Sequence, residues 1–409
     1  MDNLPVSGAR LWASLMEMAR IGATAKGGCN RQTLTDADGE GRRLLARWGA
    51  ELGLTLAVDR VGNMVLRREG EDPSLPPIAM GSHLDTQPTG GKFDGVLGVL
   101  AGLEVLRAMH EAGVRTKAPV VLVNWTNEEG ARFSPPMMGS GVAVGVFSEE
   151  EILAKRDPEG RVFGEELARI GWKGDADPSW AKRLGGYFEL HIEQGPVLEA
   201  EGKVIGVVTG ASGQAWFEVT VDGAEAHGGN PMGMRRDALV AAARMVEAIE
   251  GIALETGGVG TVGRLEVSPA SRNVVPGRVW FTVDLRNASA EGLARQVALL
   301  QERLSAIAAA RRVAVRIDPF WTAPETPFDA RLVGLVRTAA EARGYPWREM
   351  PTPIGHDAVY VARAVPTAMI FVPCHGGLSH NEAESITPEW AEAGLRVLAD
   401  AVLAAAGRA

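Results

Sequence analysis

Continuously apolar runs alternate with amphipathic segments in the first two hundred residues. Residues 77–80 and 118–123 are apolar throughout, as strands buried on both faces of a parallel sheet are. A helix is predicted between them, over 96–112, and another strand over 187–193. This alternation predicts an α/β fold with a mostly parallel sheet and helices on both faces.

The pattern changes between residues 213 and 327, where strands and helices are predicted in the order βαββαβ. This is the order of a ferredoxin-like unit, which folds as a self-contained domain. After it, a helix, an apolar strand over 367–372 and a closing helix resume the first pattern. We therefore predict a discontinuous first domain, 1–212 and 328–409, and an inserted second domain, 213–327.

Composition and charge exclude several classes of partner. The chain has 42 Lys and Arg against 51 Asp and Glu, with no basic stripe, so nucleic acid is not an expected partner. Neither a signal-peptide pattern nor a run long enough to cross a bilayer is present, which predicts a cytoplasmic protein without a membrane partner. Cys29 and Cys374 are too few for a disulfide framework, and Cys374 is interpreted as a small buried residue rather than a nucleophile.

Residues able to bind a metal occupy polar or glycine-rich turns next to the predicted strands. They are His83, Asp94, Glu129, His191 and His380. Imidazole and carboxylate ligands suit zinc and similar divalent ions, and a bridging carboxylate could hold two ions. Any one of the histidines alone is better explained as a hydrogen-bonded loop residue. Five such residues closing the strands of one sheet favour a metal centre instead.

Three acids near these residues suggest further roles. Asp85, two positions after His83, is predicted to hold the imidazole of that ligand, with a turn-capping role as an equal alternative. Glu128 and Glu129 are adjacent, and two such acids repel each other unless a cation or a proton relieves them. One could bind metal while the other takes a proton from water, although a solvated acidic turn is the alternative.

Four motifs resemble the hydantoinase/carbamoylase branch of the binuclear zinc aminoacylase and carboxypeptidase superfamily. The motifs are Gly-Ser-His83-Leu-Asp85-Thr with Gly-Gly-Lys-Phe-Asp94-Gly, Asn127-Glu128-Glu129-Gly-Ala-Arg-Phe, Glu189-Leu-His191-Ile-Glu193-Gln194-Gly-Pro and Gly376-Gly-Leu-Ser-His380-Asn-Glu. The resemblance runs from about His83 to Glu384. The branch includes N-carbamoyl-L-amino-acid amidohydrolases, allantoate amidohydrolases and β-ureidopropionases.

The resemblance implies a zinc-peptidase-like fold with two divalent ions, zinc or else manganese, cobalt or nickel. It assigns His83, Asp94 and His191 to one ion and Asp94, Glu129 and His380 to the other. Glu128 is then the general base. The inserted domain is implied to be a lid that also forms a homodimer.

The resemblance also implies residues that bind the substrate. His227 would polarise the scissile carbonyl, Gln194 would contact the ureido group, and Asn273 and Arg286 would hold the substrate carboxylate. After His227 this chain has Gly-Gly-Asn, where the family more often has Ala-Gly-Thr-Thr. Arg286 could instead pair with Asp284 or Asp237.

The predicted reaction is hydrolysis of the ureido C–N bond of an N-carbamoyl-L-amino acid by a metal-bridged hydroxide. The products would be an amino acid, carbon dioxide and ammonia. Allantoate and N-carbamoyl-β-alanine remain alternative substrates, and a dipeptidase or N-acyl amino acid deacylase would use the same metal centre. A metal-dependent binding protein without turnover is disfavoured, because it would have no use for Glu128.

Overall fold

The computed structural model describes residues 4–407 and divides into two compact units. The first unit contains the chain up to Thr209, Pro327–Met350, and the chain from Gly355 onward. The second contains Gly210–Thr326 and Pro351–Ile354. The insert predicted over 213–327 differs from the second unit by a few residues at each end, and it lacks the short return at 351–354.

The secondary structure alternates as the sequence pattern predicts. The strands are β1 (Thr55–Val58), β2 (Met64–Arg68), β3 (Ile78–His83), β4 (Val120–Trp125), β5 (Gly186–Ile192), β6 (Ile205–Ala211), β7 (Gly213–Asp222), β8 (Ala226–His227), β9 (Val259–Thr261), β10 (Leu265–Ser268), β11 (Val274–Val275), β12 (Arg278–Asn287), β13 (Ala314–Ala323), β14 (Thr326–Pro327), β15 (Trp347–Thr352) and β16 (Thr367–Val372). The α-helices are α1 (Gly8–Met18), α2 (Asp36–Glu51), α3 (Val96–Glu111), α4 (Met138–Val144), α5 (Glu149–Leu153), α6 (Phe163–Arg169), α7 (Val197–Ala200), α8 (Ala238–Thr256), α9 (Ala290–Arg311), α10 (Ala330–Ala342), α11 (Asp357–Val361) and α12 (Pro388–Ala406).

A nine-stranded sheet in the order β1-β2-β4-β3-β5-β16-β6-β14, with β15 beside β6, organises the first unit. Its four central strands, β4, β3, β5 and β16, are parallel, whereas β1, β2 and β6 run antiparallel to their neighbours. The predicted fold class is thereby confirmed. Parallel strands bring their carboxyl ends to one edge, so the polar residues that follow them meet there.

Helices cover both faces of the sheet, and every residue of the four parallel strands is buried. On one face, α3 and α12 approach the strands closely at Gly98 and Gly394, each next to Leu190. On the opposite face, the backbone N–H of Ala358 in α11 donates to the carboxylate of Glu189 in β5 at 2.9 Å. None of the helices within residues 4–407 is long and apolar enough to cross a membrane.

The charged region between residues 145 and 185, expected to be a surface excursion, contributes to a separate hydrophobic cluster. Ile152, Phe163 and Leu167 pack there with apolar residues from Leu34 to Val142. The sequence pattern does not reveal this cluster because its members are distributed over more than a hundred residues.

The second unit is an antiparallel sheet, in the order β10-β12-β7-β13 with β9 also on β12, and two helices, α8 and α9. The chain order β7-α8-β9/β10-β12-α9-β13 is the predicted βαββαβ, except that the second strand of that order is split into β9 and β10. A separate ladder of β8 and β11 pairs His227 with Val274. Strand β13 lies at the edge of the five-stranded sheet of the second unit.

Candidate metal centre

The five predicted ligands lie together at the carboxyl edge of the parallel strands. His83 is the last residue of β3, and His191 is the penultimate residue of β5. Glu129 lies in the turn after β4, and His380 lies in the loop after β16. Asp94 lies in the loop between β3 and α3, where it is buried.

Asp94 separates two groups of ligand atoms. Its Oδ1 lies 3.1 Å from His191 Nε2 and 3.8 Å from His83 Nε2. Its Oδ2 lies 3.4 Å from His380 Nε2, which is also 3.2 Å from Glu129 Oε2. Each group brings three possible ligand atoms within 4.8 Å of one another. The Asp94 carboxylate thus presents one oxygen to each of the two candidate sites, as a bridging ligand does.

Hydrogen bonds set the tautomers of the two buried histidines. His83 Nδ1 lies 2.9 Å from the carbonyl of Asp85, and His191 Nδ1 lies 2.9 Å from the carbonyl of Ile192. A carbonyl only accepts, so each Nδ1 carries a proton, and in the neutral form of either ring Nε2 presents a lone pair. His83 Nε2 is buried and has no hydrogen-bond partner among residues 4–407. An unpartnered lone pair facing a carboxylate fits a divalent ion.

The electrostatics agree with this assignment. Burial raises the pKa of Asp94, but contacts with His191 and His380 outweigh it and hold that pKa well below the ordinary value. Contacts with Asp94 and Glu129 raise the pKa of His380 to about 10. Burial lowers the pKa of His191, but Asp94 more than reverses this and brings it to about 9. Protons on these imidazoles supply the positive charge that a metal would supply.

Glu128 lies beside the ligands without belonging to either group. Its Oε2 is 3.5 Å from His83 Nε2, and the side chain is buried. Burial raises its pKa well above the ordinary value, and the nearby carboxylates of Asp357, Glu129 and Asp94 add to the shift. A carboxyl group with a raised pKa next to a metal centre can exchange a proton with water.

Asp85 does not hold His83 in the way the sequence predicts. Its backbone carbonyl binds His83 Nδ1, and its carboxylate is 3.9 Å from that nitrogen. The carboxylate instead accepts the backbone N–H groups of Glu128, at 3.3 Å, and Glu129, at 3.2 Å. Asp85 therefore positions the turn that carries the two glutamates, because the carboxylate is the acceptor that those two donors need.

Three non-glycine residues in the loops after β4, β5 and β16 adopt left-handed backbone conformations. Asn127, Gln194 and His380 have φ of 60°, 56° and 52°. Such conformations cost energy for residues with a Cβ and cluster at functional sites. Each turn redirects the chain immediately before or at a residue of the site.

The side chain of Gln194 is hydrogen-bonded to the shared carboxylate of Asp94. Its Nε2 donates to Asp94 Oδ2 at 2.9 Å and also lies 3.0 Å from Ser379 Oγ. Ser379 Oγ in turn reaches Glu384, whose Oε1 accepts the backbone N–H groups of Phe93 and Asp94. Sequence reasoning missed Glu384, because only the fold brings it to the Asp94 loop. The predicted contact of Gln194 with substrate stays a prediction.

Two further side chains hold ligands in place. Gln87 Nε2 donates to Glu129 Oε2 at 2.8 Å, which sequence reasoning also missed although Gln87 follows the His83 motif. The ring of His356 packs edge-on against His191, with centroids 4.5 Å apart. Burial lowers the pKa of His356 well below the ordinary value, so this ring is neutral.

The second unit contains the other predicted substrate contacts. His227 is exposed at the end of β8, and Asn273 directly precedes β11. The backbone N–H of Gly228 donates to the carbonyl of Asn273 at 2.6 Å. The short ladder of β8 and β11 and this hydrogen bond hold the segments of His227 and Asn273 side by side.

Arg286 is paired with Asp284, the alternative that the sequence left open. Its Nε donates to both Asp284 oxygens at 3.1 Å, its Nη2 donates to Oδ2 at 2.7 Å, and its Nη1 donates to the carbonyl of Pro353. Within residues 4–407, these bonds use three of the five guanidinium N–H groups and leave two. The side chain is 25% exposed.

A parallel sheet with histidines and carboxylates at its carboxyl edge, one carboxylate shared between two ligand groups, defines a metal-dependent hydrolase. Residues 79–404 match the family model "Peptidase family M20/M25/M40". The chain belongs to this family and, within it, to the hydantoinase/carbamoylase branch.

Individual relatives agree with this placement. The chain is 53% identical over 405 residues to an N-carbamoyl-L-amino-acid amidohydrolase of Rhizobium meliloti, covering 98% of this chain and 97% of that one. It is 32% identical over 393 residues to an allantoate amidohydrolase of Bacillus subtilis, covering 94% of each. A crystal structure of an amidase of the hydantoinase/carbamoylase family from Burkholderia multivorans superposes with a TM-score of 0.95 at 50% identity, covering 98% of both chains.

Proposed function

We propose that this protein hydrolyses the ureido C–N bond of an N-carbamoyl-L-amino acid to an amino acid, carbon dioxide and ammonia. The observation that carries the proposal is the Asp94 carboxylate, shared by two ligand groups beside the separate carboxyl group of Glu128. The similarity to the Rhizobium meliloti amidohydrolase supports the substrate class.

We propose two divalent ions, zinc or else manganese, cobalt or nickel. His83, Asp94 and His191 would hold one, and Asp94, Glu129 and His380 the other. Bound ions would polarise the ureido carbonyl and lower the pKa of a water molecule. Their positive charge would also lower the pKa of Glu128, which is raised without them.

The protein groups then divide the proton transfers between them. Glu128 takes the proton of the attacking water and later delivers it to the departing nitrogen. Asp85 holds the backbone of Glu128, so this carboxyl group keeps its orientation in both steps. His227 donates a hydrogen bond to the oxygen of the tetrahedral intermediate.

Substrate recognition is proposed for three polar groups. The two unused N–H groups of Arg286 can bind a carboxylate, the geometry for which a guanidinium is suited. Asn273 adds an amide beside the His227 segment. Gln194 would turn from Asp94 to the ureido group when ions neutralise that carboxylate.

We also propose that the second unit acts as a lid and forms a homodimer. Its edge strand β13 exposes Phe320 (65%), which stacks on Trp216, and Trp321 (42%), whose ring lies tilted against Trp216. An edge strand with exposed aromatic side chains is suited to pair with another chain. The cytoplasmic location stays a prediction.

Allantoate is the second candidate substrate, favoured by the similarity to the Bacillus subtilis enzyme. The test is ammonia release by protein reconstituted with Zn²⁺ or Mn²⁺. The panel contains N-carbamoyl-L-amino acids, their D-enantiomers, allantoate and N-carbamoyl-β-alanine, with N-acetyl amino acids and dipeptides assayed for free amine. We expect turnover of N-carbamoyl-L-amino acids. Cleavage of acetyl amino acids or dipeptides alone would overturn the proposal.

A further inference from the structure

The loop that follows His227 is closed by one arginine. Arg235 Nη2 donates to the carbonyl of Gly228 at 2.6 Å, and its Nε donates to the carbonyl of Asn230 at 2.8 Å. The N–H of Asn230 donates to the carbonyl of His227 at 2.8 Å. The guanidinium therefore ties the end of the loop to the residues directly after the histidine.

His227 receives a hydrogen bond from this loop. The backbone N–H of Gly229 lies 3.1 Å from His227 Nδ1 and donates to it. A neutral imidazole whose Nδ1 accepts must carry its proton on Nε2. The Nε2–H of His227 is then available as a donor on an exposed ring.

The carbonyl that Arg235 holds and the N–H that His227 receives belong to the same peptide group, between Gly228 and Gly229. In a planar trans peptide the C=O and the N–H point in opposite directions. Holding the oxygen at the guanidinium therefore aims the N–H at His227 Nδ1. Glycine on both sides leaves this peptide group free to rotate, since neither residue restricts its backbone as a side chain would.

A rotated peptide group would have the opposite effect. Its carbonyl would face His227 Nδ1 and would favour a proton there, which leaves Nε2 as an acceptor. Nε2 would then carry no N–H that could donate to the negative charge developing on the substrate oxygen. The orientation of one peptide group thus selects between a donor and an acceptor at the same ring nitrogen.

We propose that Arg235 is a positioning residue that fixes the Nε2–H tautomer of His227 through the Gly228–Gly229 peptide group. Its bearing on catalysis rests on the proposed function of His227 as a hydrogen-bond donor. The tautomer itself does not depend on that function, and it can be measured without substrate.

The experiment is ¹⁵N NMR of histidine side chains in the whole protein, labelled with ¹⁵N-histidine, at about pH 8.5, where an ordinary imidazole is neutral. The His227 signals are identified by their loss in His227→Gln. Arg235→Ala and Arg235→Lys are compared with Arg236→Ala; within residues 4–407, the side chain of Arg236 makes one hydrogen bond, at 3.4 Å to the carbonyl of Gly223. Thermal unfolding of each variant monitors the fold.

We expect the wild type and Arg236→Ala to show the proton of His227 on Nε2. Arg235→Ala should give a mixture of both tautomers, with kcat about tenfold lower and KM little changed. Arg235→Lys should be intermediate, because its ammonium can hold one of the two carbonyls. An unchanged Nε2–H tautomer in both Arg235 variants would overturn the proposal. A wild type inactive on every ureido acid would instead refute the proposed function and leave the tautomer result standing.

Discussion

Asp85 shows how one buried carboxylate fixes the geometry of two others. Its carboxylate accepts hydrogen bonds from the backbone N–H groups of Glu128 and Glu129, and burial raises the pKa of Asp85 to about 6. Asp85→Asn would set an amide NH₂ against one of these donors. We expect kcat to fall about tenfold or more with metal content retained, since a misplaced base loses efficiency. Asp175→Asn, at an exposed position, is the control, and equal kcat in the two variants would refute the role of Asp85.

Metal binding should depend on pH because the imidazoles of two proposed ligands, His191 and His380, are protonated without metal. The pKa is about 9 for His191 and about 10 for His380, so both carry protons at neutral pH. These protons must leave before the nitrogens can bind an ion. Affinity should therefore rise with pH, by roughly tenfold per unit for each proton released. Calorimetry of Mn²⁺ binding at pH 6.5 and 8.5, in buffers of different ionisation enthalpy, measures both effects. Equal affinity without proton release would contradict them.

At the scale of elements, helix α3 begins against His83, one of the proposed metal ligands. A Cβ at Gly95, which has φ of 67°, would lie 2.3 Å from the His83 ring. Gly95→Ala should therefore displace His83 and lower metal affinity by about tenfold or more. Gly113→Ala is a matched control, because it also has positive φ, 62°, but nothing within 4 Å of its Cβ position. Similar metal affinity in both variants would refute the predicted effect of the contact with His83.

The strands that carry ligands could be predicted from sequence, whereas several others could not. β3, β4, β5 and β16 are mostly apolar and buried throughout, so their ends, and hence His83 and His191, follow from the pattern. β6 contains two glycines and escapes a search for apolar runs. Partners far apart along the chain were also inaccessible, because the N–H groups that Asp85 accepts lie more than forty residues away.

At the scale of the whole molecule, the proposed homodimer depends on the exposed aromatic side chains of the edge strand β13. Trp321→Glu should shift the protein from dimer to monomer in analytical ultracentrifugation, because it places a charge on the exposed aromatic surface. Leu378→Glu, at a half-exposed apolar residue of the first unit, is the control and should remain dimeric. A wild type that sediments as a monomer at micromolar concentration would contradict the homodimer.

The central claim is that Glu128 exchanges protons at a metal centre that other residues build. Ammonia release from N-carbamoyl-L-amino acids by Glu128→Gln, with metal content measured on the same sample, tests it most directly. Glu150→Gln, at an exposed position, is the control. The account predicts wild-type metal content in both variants and a loss of kcat of roughly a hundredfold or more in Glu128→Gln alone. Wild-type turnover by Glu128→Gln with its metal bound would contradict it.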